Sequence, residues 1–383
     1  MRTVVPPGRV VGLDLARALA LVGMMATHIL PSADADGITL TQQVAGGRAS
    51  ALFAVLAGVS LALMSGGTTP VRGRERSAVT AGLVTRALVI AGIGLLLGEV
   101  DSGIAVILTY YGVLFLLGLP FLGLSARALV VWCAGWTVVV PVLSHLLRPH
   151  LPSATYANPT LERLLDPVPL VTELAFTGYY PAVPWLAYLL AGMALGRSDL
   201  RRWGTTARVA ALGAGLVVVA WIVSDALLDR PGVRRALRTT FEGAGFRGDL
   251  DSTLTHGLYG TTPTGSPWWL AVRTPHTATP FDLAQTIGSA LLVIAVCLVV
   301  ARMLPELTAV VAGAGAMTLT LYTAHVLSRA PGWWDGDDVA TFTGQVLLAL
   351  AIGAGFRLTR NRGPLEVLAG EAGKVTAQAV RGG

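Results

Sequence analysis

The chain has 383 residues, of which 53% are hydrophobic and only 13% charged, against about 25% charged in an ordinary soluble domain. The mean hydropathy of +0.65, with apolar runs of about 20 residues recurring along the length, excludes a string of soluble domains and reads as an all-α polytopic membrane bundle. The net charge of +6 is not organised as a basic stripe with interleaved aromatics, so no nucleic-acid partner is expected.

In chain order, about ten transmembrane helices are predicted, at 10–30, 50–66, 80–98, 105–123, 127–147, 179–197, 207–227, 283–303, 307–328 and 339–357. The first run is long and no small-residue cleavage site precedes a soluble stretch, so no cleavable signal peptide is expected. Basic residues cluster at the N-terminus (Arg2, Arg9), at 66–79 (Arg72, Arg74, Arg76), at 197–208 (Arg197, Arg201, Arg202, Arg208) and after the last run (Arg357, Arg360, Arg362). An even number of spans puts all of these on one side, and by the positive-inside rule both termini are cytoplasmic. The other side receives the long connections 31–49, 148–178 and 228–282. The last carries arginines between 230 and 247, up to Arg247, and long segments translocate largely regardless of charge. Its Pro-, Gly- and Trp-rich composition predicts an ordered cap. Residues 1–363 then form one membrane domain, and 364–383 a weakly amphipathic tail along the cytoplasmic interface. Cys133 and Cys297 lie inside apolar runs and read as inert buried thiols.

The first run, "GLDLARALALVGMMATHIL" at 12–30, carries Asp14, Arg17 and His28. On a helix, Arg17 and His28 differ by only about 20° in direction, and Asp14 lies within pairing reach of Arg17. All three share one stripe, which faces the bundle or a water-filled cavity rather than lipid. The rise from Arg17 to His28 is about 16 Å. In "MTLTLYTAH" at 317–325, Thr318, Tyr322 and His325 recur at i, i+4 and i+7, and the topology brings His325 to the level of His28. Arg86, two turns inside its span, joins Arg17 near the cytoplasmic surface, where a pair of guanidinium groups suits a phosphorylated ligand. The segments "TGYYPAVPW" (177–185) and "PHTATPFD" (275–282) offer Tyr179, Tyr180, His276 and Asp282 at span entrances, a composition suited to a polar ligand such as a sugar. No Walker motif, dinucleotide fingerprint or Cys/His metal spacing is present. From the residues alone an enzyme and a transporter or flippase are nearly balanced, and an assembly partner acting through its outer loops is a third class.

Taken in order, the stretches at 12–30 and 317–325, with "GRASALFAVLAGVSLAL" (47–63), "TGYYPAVPWLAYLLAGMALGR" (177–197) and "RGPLE" (362–366), resemble YeiB-like bacterial membrane proteins and the related heparan-α-glucosaminide N-acetyltransferase family. The resemblance implies a multi-pass protein of the bacterial cytoplasmic membrane. It would move an acetyl group from cytosolic acetyl-CoA, the acyl donor, to an amine or hydroxyl of an extracytoplasmic sugar or glycolipid. It implies membrane lipids and that acceptor as partners, a possible homodimer, and no metal. Arg17 and Arg86 would then hold the donor, with Asp14, grouped with the catalytic set, orienting Arg17. His28 would act as general base or transient acyl carrier and His325 as a second base or oxyanion donor. Tyr179, Tyr180, His276, Asp282 and Tyr322 would meet the acceptor. One departure stands out: in the lysosomal enzyme the implicated histidine lies farther into the loop after this helix. Here that loop offers only "ADADG" (33–37, including Asp36), so His28 corresponds by location.

Overall fold

The computed structural model describes residues 8–35, 37–245, 249–332 and 337–382; Arg2, Asp36 and Arg247 lie outside the described residues. Along them run α1 (Val11–Ile29), α2 (Leu40–Ala45), α3 (Arg48–Met64), α4 (Gly73–Gly98), α5 (Leu108–Gly118), α6 (Ala126–Leu147), α7 (Pro167–Thr172), α8 (Ala182–Gly196), α9 (Trp203–Leu228), α10 (Val233–Gly243), α11 (Leu250–His256), α12 (Pro280–Met303), α13 (Pro305–Gly315), α14 (Thr318–Ser328), α15 (Asp338–Leu358) and α16 (Pro364–Gly382). A small antiparallel hairpin pairs Ala33–Asp34 with Gly37–Ile38. Helix starts follow local chemistry. Thr39, Ser125, Asp249, Thr279 and Asp337 each accept a backbone N–H three residues on, satisfying a donor that a helix start leaves open.

Among the described residues seven helices are long and apolar enough to cross a membrane, or eight if the bent pair α13–α14 is one span. Two of the ten predicted spans, α5 with its extension to Gly123 and α8, are shorter. Residues 105–107 precede α5 as loop, and Leu119–Gly123 tighten into a 3₁₀ turn at Pro120. Residues 179–181 likewise stay outside α8, which starts after Pro181. Every α8 residue but Val183 is buried, so α8 is the centre of the bundle and has no lipid-facing side to match to the bilayer. It crosses α3 at backbone contact: a Cβ on Gly192 would run into the Val55 carbonyl, and one on Gly58 into the Leu189 carbonyl.

The predicted span at 307–328 is not continuous but broken by 58° between α13 and α14. A break inside a bundle is tolerated where protein groups take up the freed amides. Here the Glu366 carboxylate, from the "RGPLE" stretch, accepts from the Leu319 and Thr320 amides at 2.7 and 3.3 Å and from the Thr320 hydroxyl at 2.6 Å. The helix that carries Glu366 in its first turn, α16, packs along α4 through the Thr85–Thr376 hydroxyl pair at 2.9 Å and an Arg381–Glu75 ion pair. Arg197, counted among the basic residues of the 197–208 segment, is buried at 5% exposure. Its guanidinium donates to the carbonyls of Ala62, Ser65, Gly67 and Leu122 and to the Ser65 hydroxyl, tying α3, the α3–α4 turn and the end of α5 to α8.

The connection at 228–282 folds around its own small core of Val233, Leu237, Phe241, Leu250 and Trp269, with the Trp269 indole N–H donating to Thr240 at 2.8 Å. Cys133 and Cys297 are both free thiols.

Candidate functional site

Helix α1 runs from an arginine-rich end of the bundle to a histidine end, and each end holds one half of the site. At the first, Asp14 is 1% exposed and sits among three guanidinium groups: Arg9 (Nη2 to Oδ1, 3.1 Å), Arg17 (Nη1 to Oδ1, 2.7 Å) and Arg357 of α15 (3.8 Å). The free arm of Arg17 donates to the Ser60 hydroxyl on α3 at 2.9 Å. Asp14 therefore orients Arg17. It stands about 21 Å along the helix from His28, at the opposite end of α1. Arg17 and Arg86, from different helices, line one cavity of about 230 Å³ together with Met24, Ser60, Tyr322 and Glu366.

At the other end, His28 Nδ1 lies 3.0 Å from His325 Nε2, with the rings parallel within 8°. His325 Nδ1 lies 2.7 Å from Oε1 of Gln345 on α15. A carbonyl oxygen only accepts, so His325 donates through Nδ1 and offers the Nε2 lone pair to His28 Nδ1–H. His28 Nε2 is then left with its own lone pair. His325 and Gln345 are buried, whereas His28 lines a second cavity, of about 1150 Å³, with Tyr156, Tyr179, Tyr180, Tyr259, Glu99 and Asp101. Gln345 and Ser60 are not anticipated by the sequence. The available signal was a lone amide and a lone hydroxyl at membrane depth, where polar groups need a partner.

The two cavities approach each other near the histidine end of α1. On α1, Met24 lines the first and Thr27 and His28, one turn on, line the second. The segment 104–107 does the same, with Ile107 on the arginine side and Ile104 and Ala105 on the histidine side. Tyr322 holds this partition, its hydroxyl accepting from the Ile107 amide at 3.3 Å. Tyr322, of which an acceptor contact was expected, lines the arginine-side cavity.

Tyr179 and Tyr180 contact each other at 4.7 Å between ring centroids, and Tyr179 meets Tyr259 at 5.5 Å. Behind them His276 packs on Tyr179 at 5.1 Å and lies parallel to Trp185 at 6.5 Å. Asp282 is spent on the backbone: it is 3% exposed and accepts the amides of Thr277 and Ala278 at 3.1 and 2.9 Å. It holds the turn in which His276 (φ 57°) and Ala278 (φ 52°) are left-handed, a conformation side chains seldom adopt. An acceptor contact was expected of Asp282; in the fold its carboxylate bonds this turn, and His276 sits in a second layer behind the tyrosines.

Burial pushes the His276 imidazole down to about 4 from its ordinary value of 6.5. Between those values the unfolded chain binds a proton that the folded protein refuses, so the stability is complete above pH 6.5 and falls as the pH drops toward 4. The loss reaches about 3 kcal/mol at its fullest. The thermal midpoint from pH 7 to pH 5 should therefore fall more steeply in the native protein than in His276→Phe, which keeps the ring packing. Parallel curves would show that His276 does not contribute.

Among the described residues no group of three or more His, Cys, Asp or Glu is placed to hold a metal ion. A family model described as heparan-alpha-glucosaminide N-acetyltransferase, catalytic, matches residues 9–227. The match takes in Asp14, Arg17, His28, Arg86, Tyr179 and Tyr180, and stops short of His325 and Gln345. No curated protein matches the chain.

Proposed function

The chain belongs to the heparan-alpha-glucosaminide N-acetyltransferase catalytic family, and on that premise we propose that it is an integral membrane enzyme carrying an acetyl group from cytosolic acetyl-CoA to a sugar amine or hydroxyl on the far side of the bacterial cytoplasmic membrane. The observation that carries the proposal is that α1 lines two cavities from opposite ends, with arginines in one and His28 in the other. The arginine-rich end is the cytoplasmic one by the positive-inside rule.

Arg17 and Arg86 would meet the donor's phosphates at the cavity mouth, where planar guanidinium groups pair bidentately with phosphate oxygens. The narrow cavity takes the flexible arm, and the rise of about 16 Å from Arg17 to His28 brings its thioester to the partition. The acceptor enters among the tyrosines, with its sugar face on the rings. His28 Nε2 removes a proton as the acceptor nitrogen or oxygen attacks the thioester carbonyl carbon; the C–S bond breaks, and the departing thiolate takes up that proton. The products are the acetylated acceptor and CoA. The positive charge on His28 during the step is shared with His325 through their hydrogen bond, because His325 Nε2 can take the Nδ1 proton while Gln345 accepts from its other side.

Donor binding is the first test. Acetyl-CoA at about 100 times its dissociation constant should stabilise the purified protein by about 2.7 kcal/mol, and ATP at the same concentration by less. Arg17→Ala should raise the dissociation constant by about tenfold or more, the worth of a charge-assisted contact. Asp14 keeps Arg9 and Arg357 in that variant, so the fold should hold. A folded native protein that acetyl-CoA fails to stabilise would sink the proposal.

A further inference from the structure

A groove of about 800 Å³ runs between α6 and α9, floored by α8 and α12. Small side chains make the room: Ala134 on α6, Ala191 and Ala194 on α8, Ala220 on α9 and Ala284 on α12. Helices α6, α9 and α12 are all long and apolar enough to cross a membrane, so the groove opens onto hydrocarbon. A soluble partner or peptide would have to leave unsatisfied polar groups there, at a cost of several kcal/mol each. What fits is an alkyl or isoprenoid chain.

The far end of the groove is closed by the 3₁₀ turn Pro267–Ala271. There Leu270 lines both the groove and a small hydroxyl-rich neck that includes Thr262 and Thr277. The neck is also lined by Pro181 and Gly260, each the next residue after a tyrosine of the His28 cavity, Tyr180 and Tyr259. Arg148 in the neck donates to the Thr262 carbonyl and hydroxyl, while its Nε is buried without a partner and still has a donor to offer. The neck holds only about 10 Å³, so the groove and the tyrosine cavity lie on either side of a thin wall rather than forming one open channel. We infer that the acceptor is lipid-anchored, its hydrocarbon chain lying in the α6–α9 groove while its sugar head reaches the cavity beside His28. This deepens the acetyltransferase proposal and rests on it.

The test compares octadecyl glucosaminide with methyl glucosaminide as acceptors for the full chain in lipid nanodiscs. Ala134→Trp and Ala284→Trp, which fill the groove, should raise KM for the octadecyl acceptor about tenfold and leave the methyl acceptor unchanged, which also shows that they fold. Val296→Trp, on the exposed face of α12 and outside the groove, should change neither. That control separates groove binding from mere enrichment in the bilayer. A photoreactive octadecyl glucosaminide should label α6 and α9 in the native protein and lose that labelling in the filled variants. Unchanged KM values in filled variants that still acetylate would overturn the groove inference and leave the acetyltransferase standing. Transfer to neither acceptor would overturn the acetyltransferase proposal; labelling, which needs no turnover, still decides the groove, and label outside α6 and α9 overturns it.

Discussion

Replacing His28 with alanine is expected to lower the turnover of acetyl transfer by about 10²–10⁴-fold, the range for a general base positioned on the reacting atom, with acetyl-CoA binding nearly unchanged. Binding should survive because Arg17, proposed to hold the donor, lies about 16 Å away along α1 and contacts Asp14 and Ser60 rather than the imidazole. His325→Ala removes the partner of His28 Nδ1 and should cost less. The double variant should be little worse than His28→Ala, since residues acting as one unit are not additive. Gln345→Leu should lower turnover and move the acidic limb of the pH–rate profile, because His325 loses the acceptor for its Nδ1–H, whereas a purely structural loss would leave the profile in place. Incubation with acetyl-CoA alone should leave His28 unacetylated. An acetyl group trapped on it would replace direct transfer by a two-step route through the ring.

The second large effect is on folding. Arg197→Ala removes the donor to four carbonyls and one hydroxyl. With one partner gone, each buried acceptor bears its own desolvation cost, and a total of about 3–5 kcal/mol follows, at the upper end for a single substitution. The thermal midpoint of the purified protein should fall sharply. Arg197→Lys should recover little of it, because one ammonium cannot reproduce a planar fork reaching α3, its following turn and the end of α5 at once. Protein that does fold should still bind acetyl-CoA, since Arg197 lines neither cavity of the site. A midpoint unchanged by Arg197→Ala would mean that these carbonyls find other donors.

Much of this arrangement is legible in the sequence wherever helical periodicity carries it. The Asp14–Arg17–His28 stripe needs only 100° per residue and the cost of charge in hydrocarbon, and the same rule places Thr318, Tyr322 and His325 on one face. What periodicity does not carry is which groups meet across the bundle. Gln345, Ser60 and Glu366 are single polar residues whose partners lie 20 to 47 positions away, and only packing pairs them. Arg197 looks like any loop arginine until the carbonyls of three segments converge on it. Tyr322 and Asp282 show a related effect. Their residue types suit a sugar site, but a backbone amide of the 104–107 segment and two amides of a left-handed turn claim them first. Span length misleads as well. The run at 179–197 is apolar because α8 is surrounded by protein, and hydropathy alone does not separate that from lipid.

On the proposed function, the acetyl group crosses the membrane along α1. The most direct measurement places the protein in sealed proteoliposomes with isotopically labelled acetyl-CoA on the arginine side and a glucosaminide on the histidine side. Labelled N-acetyl product should accumulate with the acceptor while CoA is released on the donor side, and His28→Ala should abolish both. Acceptor crossing to the donor side without loss of acetyl-CoA would contradict the claim and make the cavities a transport path.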